Sequence, residues 1–298
     1  MSERAGRSYM IGGTEHHARP LDPALYLVAT PIGNLGDITI RALETLAAAD
    51  VVACEDTRVT RVLLDRYGIR RRTVSYHEHN APEAGPRLIA ELEAGHSVAL
   101  VSDAGTPLIS DPGFRLVDAA LAAGLRVIPI PGASSLLAAL TASGLPSDAF
   151  FFAGFLPVKD GQRKARLGEL MTVPGTLIFL ESPRRLAASL ASMADVLGDR
   201  QAAVCRELTK AFEEVRTGSL AELAGHYRQV GAPKGEIVVC VGPAEAPQAE
   251  IAGDIDRILL SLADEMGASK AAAEAARMTG GKKAELYRRL LELKDDAR

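Results

Sequence analysis

The sequence predicts an α/β fold with a mainly parallel sheet, a second α/β region after it, and a small helical appendage at the C-terminal end. Three observations carry this reading. Short apolar runs alternate with helix-length amphipathic segments through the first half; the rhythm breaks at Gly144-Leu145-Pro146 and restarts; and three helix-length segments follow the Pro- and Ala-containing stretch Gly242 to Gln248. At 298 residues the chain is long enough for about two domains. Its 47% hydrophobic and 24% charged residues allow a real core and exclude disorder.

Residues 1–23 are polar and carry glycines and histidines, so they are expected to form a flexible extension without a signal-peptide core. Leu25 to Ala29 is a short apolar run that stops at Thr30-Pro31, and a Gly/Asn turn leads into the helix-like Thr39 to Ala49. Val51 to Cys54 precedes Thr57 to Tyr67, Ser97 to Val101 precedes Pro112 to Ala123, and Arg126 to Ile130 precedes Ala133 to Ala142. Repeated βα units of this kind place ligands beyond the carboxyl ends of the strands. The second series has strand-like Phe150 to Phe152, Thr176 to Leu180, Ala202 to Cys205 and Glu236 to Val241. Ile255 to Met266, Ser269 to Met278 and Lys282 to Leu293 read as helices divided by glycines. The expected domains are therefore 24–144, 145–243 and 250–298.

A net charge of −4 argues against a chain coated by nucleic acid, although it allows local basic patches. No apolar run approaches the roughly 20 residues of a membrane helix, so a cytoplasmic protein without membrane contact is expected. Cys54, Cys205 and Cys240 lie in apolar runs and read as buried thiols.

Three turns fall at strand ends. Thr30 to Gly36 has neither the Gly-Lys-Ser/Thr of a P-loop nor the spacing of a dinucleotide fingerprint. Glu55-Asp56 nevertheless lies where a dinucleotide fold carries its ribose-binding acid, so that alternative stands beside a helix cap at Thr57-Arg58. In VALVSDAGTPLISDPG, Asp111 before Pro112 reads as an N-cap, whereas Asp103 has no such role and suits a ligand's hydroxyl, ammonium or sulfonium group. In Pro131 to Ser135 both hydroxyls sit at a helix opening, where capping and ligand binding compete.

ATPIGNLGDITIRALETL, CEDTR, SYHEHN, VSDAGTPLISDPG, PIPGASSLLAALTASGLP, ESPRR and KGEIVVCVGP, in that order, resemble the tetrapyrrole methylase superfamily from about Leu25 to Pro243. The tail resembles the helix-turn-helix extension found in the superfamily's ribosomal RNA branch. The resemblance implies two α/β domains of the tetrapyrrole methylase type with the cofactor cleft between them. It also implies methyl transfer from S-adenosylmethionine to the ribose 2′-oxygen of a cytidine in the decoding region of small-subunit rRNA. The partner would be that RNA or the assembled 30S particle, and the enzyme a homodimer. A tetrapyrrole or other small-molecule substrate is the alternative. Matched motif by motif, the cofactor would meet Pro31 and Gly33, then Ser102, Asp103, Ala104, Gly105 and Ile109, then Ser134 and Ser135. Leu180, Glu181, Lys234, Gly235 and Glu236 would complete the pocket from the second domain.

Methyl transfer to a hydroxyl needs alignment and a base. Glu55 and His77 are the expected catalytic groups, with Asp56, Glu78 and His79 nearby. His77 and His79 would share one face of an extended segment, and without a third ligand no metal is expected. Arg58, Arg184, Arg185 and Lys210 are expected at RNA phosphates, as are Lys282, Lys283 and Arg288 in the tail, where Leu286, Leu290 and Leu293 leave the cations outward.

Overall fold

The computed structural model describes residues 7–244, 248–279 and 281–296. It divides into two compact units, 1–243 and 244–298.

The first unit opens with a hairpin of β1 (Ser8–Ile11) and β2 (Thr14–His17). This corrects the expectation of a flexible extension. Tyr9 is 3% exposed in a cluster with Leu43 and Leu46, and the Met10 amide donates to the Tyr67 carbonyl at 2.8 Å. A single buried aromatic anchors the hairpin, which an otherwise polar composition conceals. Residues 1–6 of that extension lie outside the described residues.

A first sheet follows, built from β3 (Leu25–Val28), β4 (Val51–Cys54), β5 (Thr73–Ser75), β6 (Val98–Val101) and β7 (Val127–Ile130) in the order β5-β4-β6-β3-β7. Every pairing is parallel. The interleaved helices are α1 (Ile40–Ala48), α2 (Thr57–Arg66), α3 (Ala81–Glu93), α4 (Phe114–Ala122) and α5 (Ser135–Ala142). The register sets Ser75, Cys54, Val101, Val28 and Ile130 side by side. All the loops that leave those strands therefore emerge along one edge, as parallel strands require. The central strands β4 and β6 are buried throughout, which explains their unbroken Val/Ala/Leu/Cys sequence.

The second sheet contains β8 (Phe150–Phe155), β9 (Thr176–Glu181), β10 (Gln201–Arg206), β11 (Glu214–Ser219) and β12 (Ile237–Val241), ordered β11-β10-β12-β9-β8. Only β8 and β9 run parallel; the remaining pairs are antiparallel. Helices α6 (Asp160–Leu170), α7 (Leu186–Leu197) and α8 (Leu220–Val230) pack on it. Helix α5, SLLAALTA, is apolar on nearly every face because it lies between the sheets. Ala139 and Leu140 share one cluster with Ile32, Ile178, Ala203, Cys205, Val238 and Cys240. All three cysteines are buried and free.

The second unit holds α9 (Gln248–Met266), α10 (Ala268–Thr279) and α11 (Lys283–Asp296). Leu259, Ala271, Ala275 and Leu290 are fully buried between them. The α9 start at Gln248 ends the expected linker, whose residues 245–247 lie outside the described residues, as does Gly280.

Candidate active site

Thr30 and Gly105 pair through two backbone hydrogen bonds of 2.9 and 3.0 Å, and the Thr30 hydroxyl donates to the Ser102 carbonyl at 3.1 Å. The first and second strand-end loops are thus one structure. The Ser102 hydroxyl lies inside it, 3.2 Å from the Gly105 carbonyl, and shapes the loop. Asp103 turns outward, and one carboxylate oxygen accepts from the Asp56 amide at 3.0 Å. That bond ties the loop after β4 to the other two.

Asp111 departs from the sequence reading. Helix α4 starts at Phe114 with Gly113 at its N-cap, so Asp111 caps nothing. Leu108 and Ser110 take φ of 73° and 63°, a region costly for side-chain-bearing residues, and they turn Asp111 into a cavity. Burial pushes its carboxyl up to about 6, and repulsion from Glu55 and Asp103 adds to this against a hydrogen bond from Ser102. The capping grammar of Asp-Pro hid this residue.

Three cavities meet here. The first, about 410 Å³, is lined by Ala104, Ile109, Asp111, Ser135, Leu180 and Gly235 among others. A small recess beside it adds Gly105 and Ser134. Ser134 is the N-cap residue of α5 but makes no side-chain capping bond, so its hydroxyl stays available to a ligand. The second cavity, about 330 Å³, holds Pro31, Gly33, Ser102, Asp103 and Lys210, and shares Ile32, Ala104 and Glu236 with the first. The third, about 460 Å³, collects Glu55, Asp56, Arg58, His77 and His79 and shares Asp103 with the second. Burial, followed by Asp103, raises the Glu55 carboxyl, whereas His77 opposes the rise. The His77 and His79 rings lie 6.1 Å apart at an interplanar angle of 65°. They sit in a turn rather than on an extended segment, because Asn80 accepts from the His77 amide at 2.8 Å and bends the chain.

Several expected ligand contacts are taken up within the protein. Glu181 is 3% exposed and accepts from the Ser182 amide at 2.7 Å and from the Ser189 hydroxyl. Arg185, expected at RNA, instead pairs with Glu181 at 3.3 Å and donates to the Leu156 carbonyl. Asp56 caps α2, accepting from the Arg58 amide at 2.8 Å, and holds the Arg58 guanidinium at 2.6 Å, which lowers the Asp56 carboxyl to about 2. That arrangement is the helix cap expected at Thr57-Arg58, and it takes up Asp56. Lys210, also expected at RNA phosphates, donates to Glu207 at 2.8 Å and Glu236 at 3.0 Å within the second cavity. Burial alone would lower its ammonium, but these two carboxylates raise it. Its stem crosses Gly33, at φ +148°, where a Cβ would come within 2.4 Å of it. Lys234 is exposed, and its carbonyl accepts from Arg206 at 3.2 Å. Arg184 is exposed, with no ion pair among the described residues.

In the second unit Lys282 pairs with Glu285 at 3.4 Å, whereas Lys283 and Arg288 are exposed. Arg289 clamps Asp256 of α9 at 2.8 Å. No group of three or more potential metal ligands occurs among the described residues.

Residues 24–224 match the family model described as Tetrapyrrole (Corrin/Porphyrin) Methylases. Residues 249–294 match that described as RsmI C-terminal HTH domain. The chain is 74% identical over 287 residues to a Mesorhizobium japonicum protein named Ribosomal RNA small subunit methyltransferase I, covering 96% of this chain and 97% of that protein. A Pseudomonas aeruginosa protein of the same name is 50% identical, covering 90% and 96%. Among solved structures, a cobalt precorrin-4 methyltransferase aligns with TM-score 0.56 at 18% identity, over 74% of this chain and 95% of that one. A uroporphyrin-III C-methyl transferase from Thermus thermophilus, complexed with S-adenosyl homocysteine, aligns with TM-score 0.51 at 22% identity, over 73% and 96%. At such identities these structures speak for the fold alone.

Proposed function

The chain belongs to the tetrapyrrole (corrin/porphyrin) methylases, in the branch named ribosomal RNA small subunit methyltransferase I. From that premise we propose that it methylates the ribose 2′-oxygen of a cytidine in the decoding region of small-subunit rRNA, using S-adenosylmethionine. The observation that carries this reading is the 74% identity to an rRNA methyltransferase along nearly its whole length, tail included. Bound S-adenosylmethionine supplies a methyl group on a sulfonium sulfur, so that the ribose oxygen gains the carbon as the carbon–sulfur bond breaks and S-adenosylhomocysteine leaves.

The first cavity fits that molecule. Apolar Ile109, Leu180 and Ile237 suit the adenosyl group, the uncapped Ser134 hydroxyl and Ser135 offer hydrogen bonds, and Asp111 and Glu236 offset positive charge. Ala104, Gly105 and Gly235 allow close backbone approach. Pro31, Gly33 and Asp103, expected at the cofactor, line the adjoining cavity, and we assign them to its boundary with the substrate. Glu55 takes the proton of the 2′-hydroxyl, since burial and Asp103 raise its carboxyl toward the range useful to a base, and His77 shares its cavity.

Arg184 and the outward Lys283 and Arg288 engage phosphates, with Arg58 and Lys282 contributing despite their carboxylate neighbours. The substrate is small-subunit rRNA, free or in the assembled 30S particle, and the enzyme acts in the cytoplasm where that RNA is. A homodimer is supported by the edge strand β8, where Phe150, Phe151 and Phe155 are 45%, 38% and 57% exposed.

The test offers labelled S-adenosylmethionine to unmodified small subunits and to a porphyrinogen, and maps the label. Label on one cytidine ribose is expected. Transfer to the porphyrinogen alone would reverse the reading. Glu55→Ala and His77→Ala should each slow single-turnover transfer, and the base assignment is dropped if both run at the wild-type rate.

A further inference from the structure

The cavity beneath Lys210 adjoins the one that fits the cofactor and carries polar groups with hydrogen-bonding capacity left over. Its walls are apolar: Ile32, Leu35, Val59, Val62 and Leu63. Thr60 lies in its wall, 3% exposed, and its hydroxyl is buried without a conventional N or O hydrogen-bond partner among the described residues. Beside it lies the Cys54 sulfur, whose own S–H points to the Val74 carbonyl at 3.7 Å and which offers Thr60 only a weak acceptor. A buried hydroxyl left unpaired is costly, so such a group in a cavity wall points to a ligand. Asp103 uses one oxygen on the Asp56 amide, and its second oxygen makes no hydrogen bond among the described residues. The Lys210 ammonium has three N–H groups, of which Glu207 and Glu236 take two. The cavity therefore presents one free carboxylate acceptor, one free ammonium donor and one hydroxyl between apolar walls.

We propose that this cavity receives the target nucleobase, unstacked from the RNA, and selects cytosine over uracil through Asp103, Lys210 and Thr60. The inference rests on the functional reading above and adds where the base sits and what reads it. Cytosine carries an amino donor at N4 and acceptors at N3 and O2. The amino group meets the free Asp103 oxygen, and the ring acceptors meet the Lys210 ammonium and the Thr60 hydroxyl. Uracil reverses two of these, setting its O4 acceptor against a carboxylate and its N3–H donor against an ammonium. Leu35, Val59 and Val62 supply the apolar surface that replaces stacking in an extruded base. The cavity shares Ile32, Ala104 and Glu236 with the cofactor cavity, and Asp103 with the one holding Glu55. A base held here leaves its ribose where methyl donor and proton acceptor converge. The shape explains Gly33 as well, since a side chain there would push Lys210 out of the cavity.

The test uses the full chain with S-adenosylmethionine and small subunits that carry either cytidine or uridine at the modified position. Single-turnover transfer to each gives a ratio. A pair of correct hydrogen bonds is worth roughly 1–3 kcal/mol against the wrong base, so the wild type should favour cytidine by about 5- to 150-fold. Asp103→Asn keeps an oxygen for the Asp56 amide and turns an N–H donor to the base. It should cut the preference at least tenfold and raise the relative rate on uridine. Lys210→Met keeps the stem and should cut it about as far, and Thr60→Val severalfold. Where a variant transfers too slowly, dissociation constants for the two particles with S-adenosylhomocysteine bound supply the same ratio. Ratios within twofold of wild type in both Asp103→Asn and Lys210→Met overturn the proposal. A wild type that labels neither particle overturns the functional reading instead, and that failure is distinguishable because no ratio exists.

Discussion

Arg185→Met separates a structural cation from an RNA-binding one. The Glu181 side chain is fully buried, and Arg185 is 24% exposed beside it. Removing the guanidinium leaves a buried carboxylate supported by two serines, Ser182 through its amide and, at 3.5 Å, its hydroxyl, and Ser189 through its hydroxyl. Breaking one side of a buried pair costs roughly 3–5 kcal/mol. Arg185 is partly solvated and Glu181 keeps both serines, so the lower end applies, about 3 kcal/mol. For a unit of this size each kcal/mol lowers Tm by roughly 2–4 °C, and the expected loss is about 6–12 °C. Calorimetry of Arg185→Met, Glu181→Gln and the double variant checks it. The double variant removes both charges and should recover to within about 1 kcal/mol of wild type, giving a large coupling energy. The reasoning is refuted if Arg185→Met melts with the wild type while its affinity for small subunits collapses, because the guanidinium would then face RNA.

Asp111 predicts a pH effect. Its folded carboxyl is raised to about 6 from an ordinary 3.8, so the stability it contributes is fully present below about pH 3.8 and lost as pH rises through 6. Asp111→Asn should therefore match wild type near pH 4 and gain on it toward pH 8, by about 1–2 kcal/mol after allowance for its partial exposure, measured by denaturant unfolding at each pH. No gain at pH 8 would mean that the carboxylate is well solvated. Gly33→Ala places a Cβ 2.4 Å from the Lys210 stem at a positive φ. It should destabilise by roughly 1–2 kcal/mol and slow methyl transfer while S-adenosylmethionine affinity, read by calorimetry, changes little. Lys283→Glu with Arg288→Glu should weaken small-subunit binding and flatten its salt dependence, again with cofactor affinity retained; an unchanged slope would remove the tail from the RNA interface.

Much of the fold was legible because the signals were local. Val98 to Val101 and Val51 to Cys54 are unbroken apolar runs, as strands buried on both faces must be, and each is followed by a turn and an amphipathic helix. The same locality put the strand-end loops at the ligand edge of the sheet before any contact was known. Strand β5, only Thr73–Ser75, is too short to carry a pattern, and the terminal hairpin depends on one buried tyrosine meeting distant leucines. The mainly antiparallel second sheet also escaped the sequence, because strand direction is set by which neighbours meet.

The site divides along the same line. Residue types, and their order at strand ends, are properties of the chain; they pointed to a ligand there, and the family resemblance they carry supplied the cofactor class and Asp103, Ser134 and Gly235 as candidates. Which charges remain free is a property of the fold, since pairing is decided across long sequence separations. Arg185 found Glu181 and Leu156, Lys210 found Glu236, and Asp103 took the Asp56 amide 47 residues away. Asp111 moved the other way, from an expected helix cap into a cavity, because the loop before it bends through two left-handed residues. Sequence determined what chemistry was available here; three-dimensional neighbours decided which groups were left to perform it.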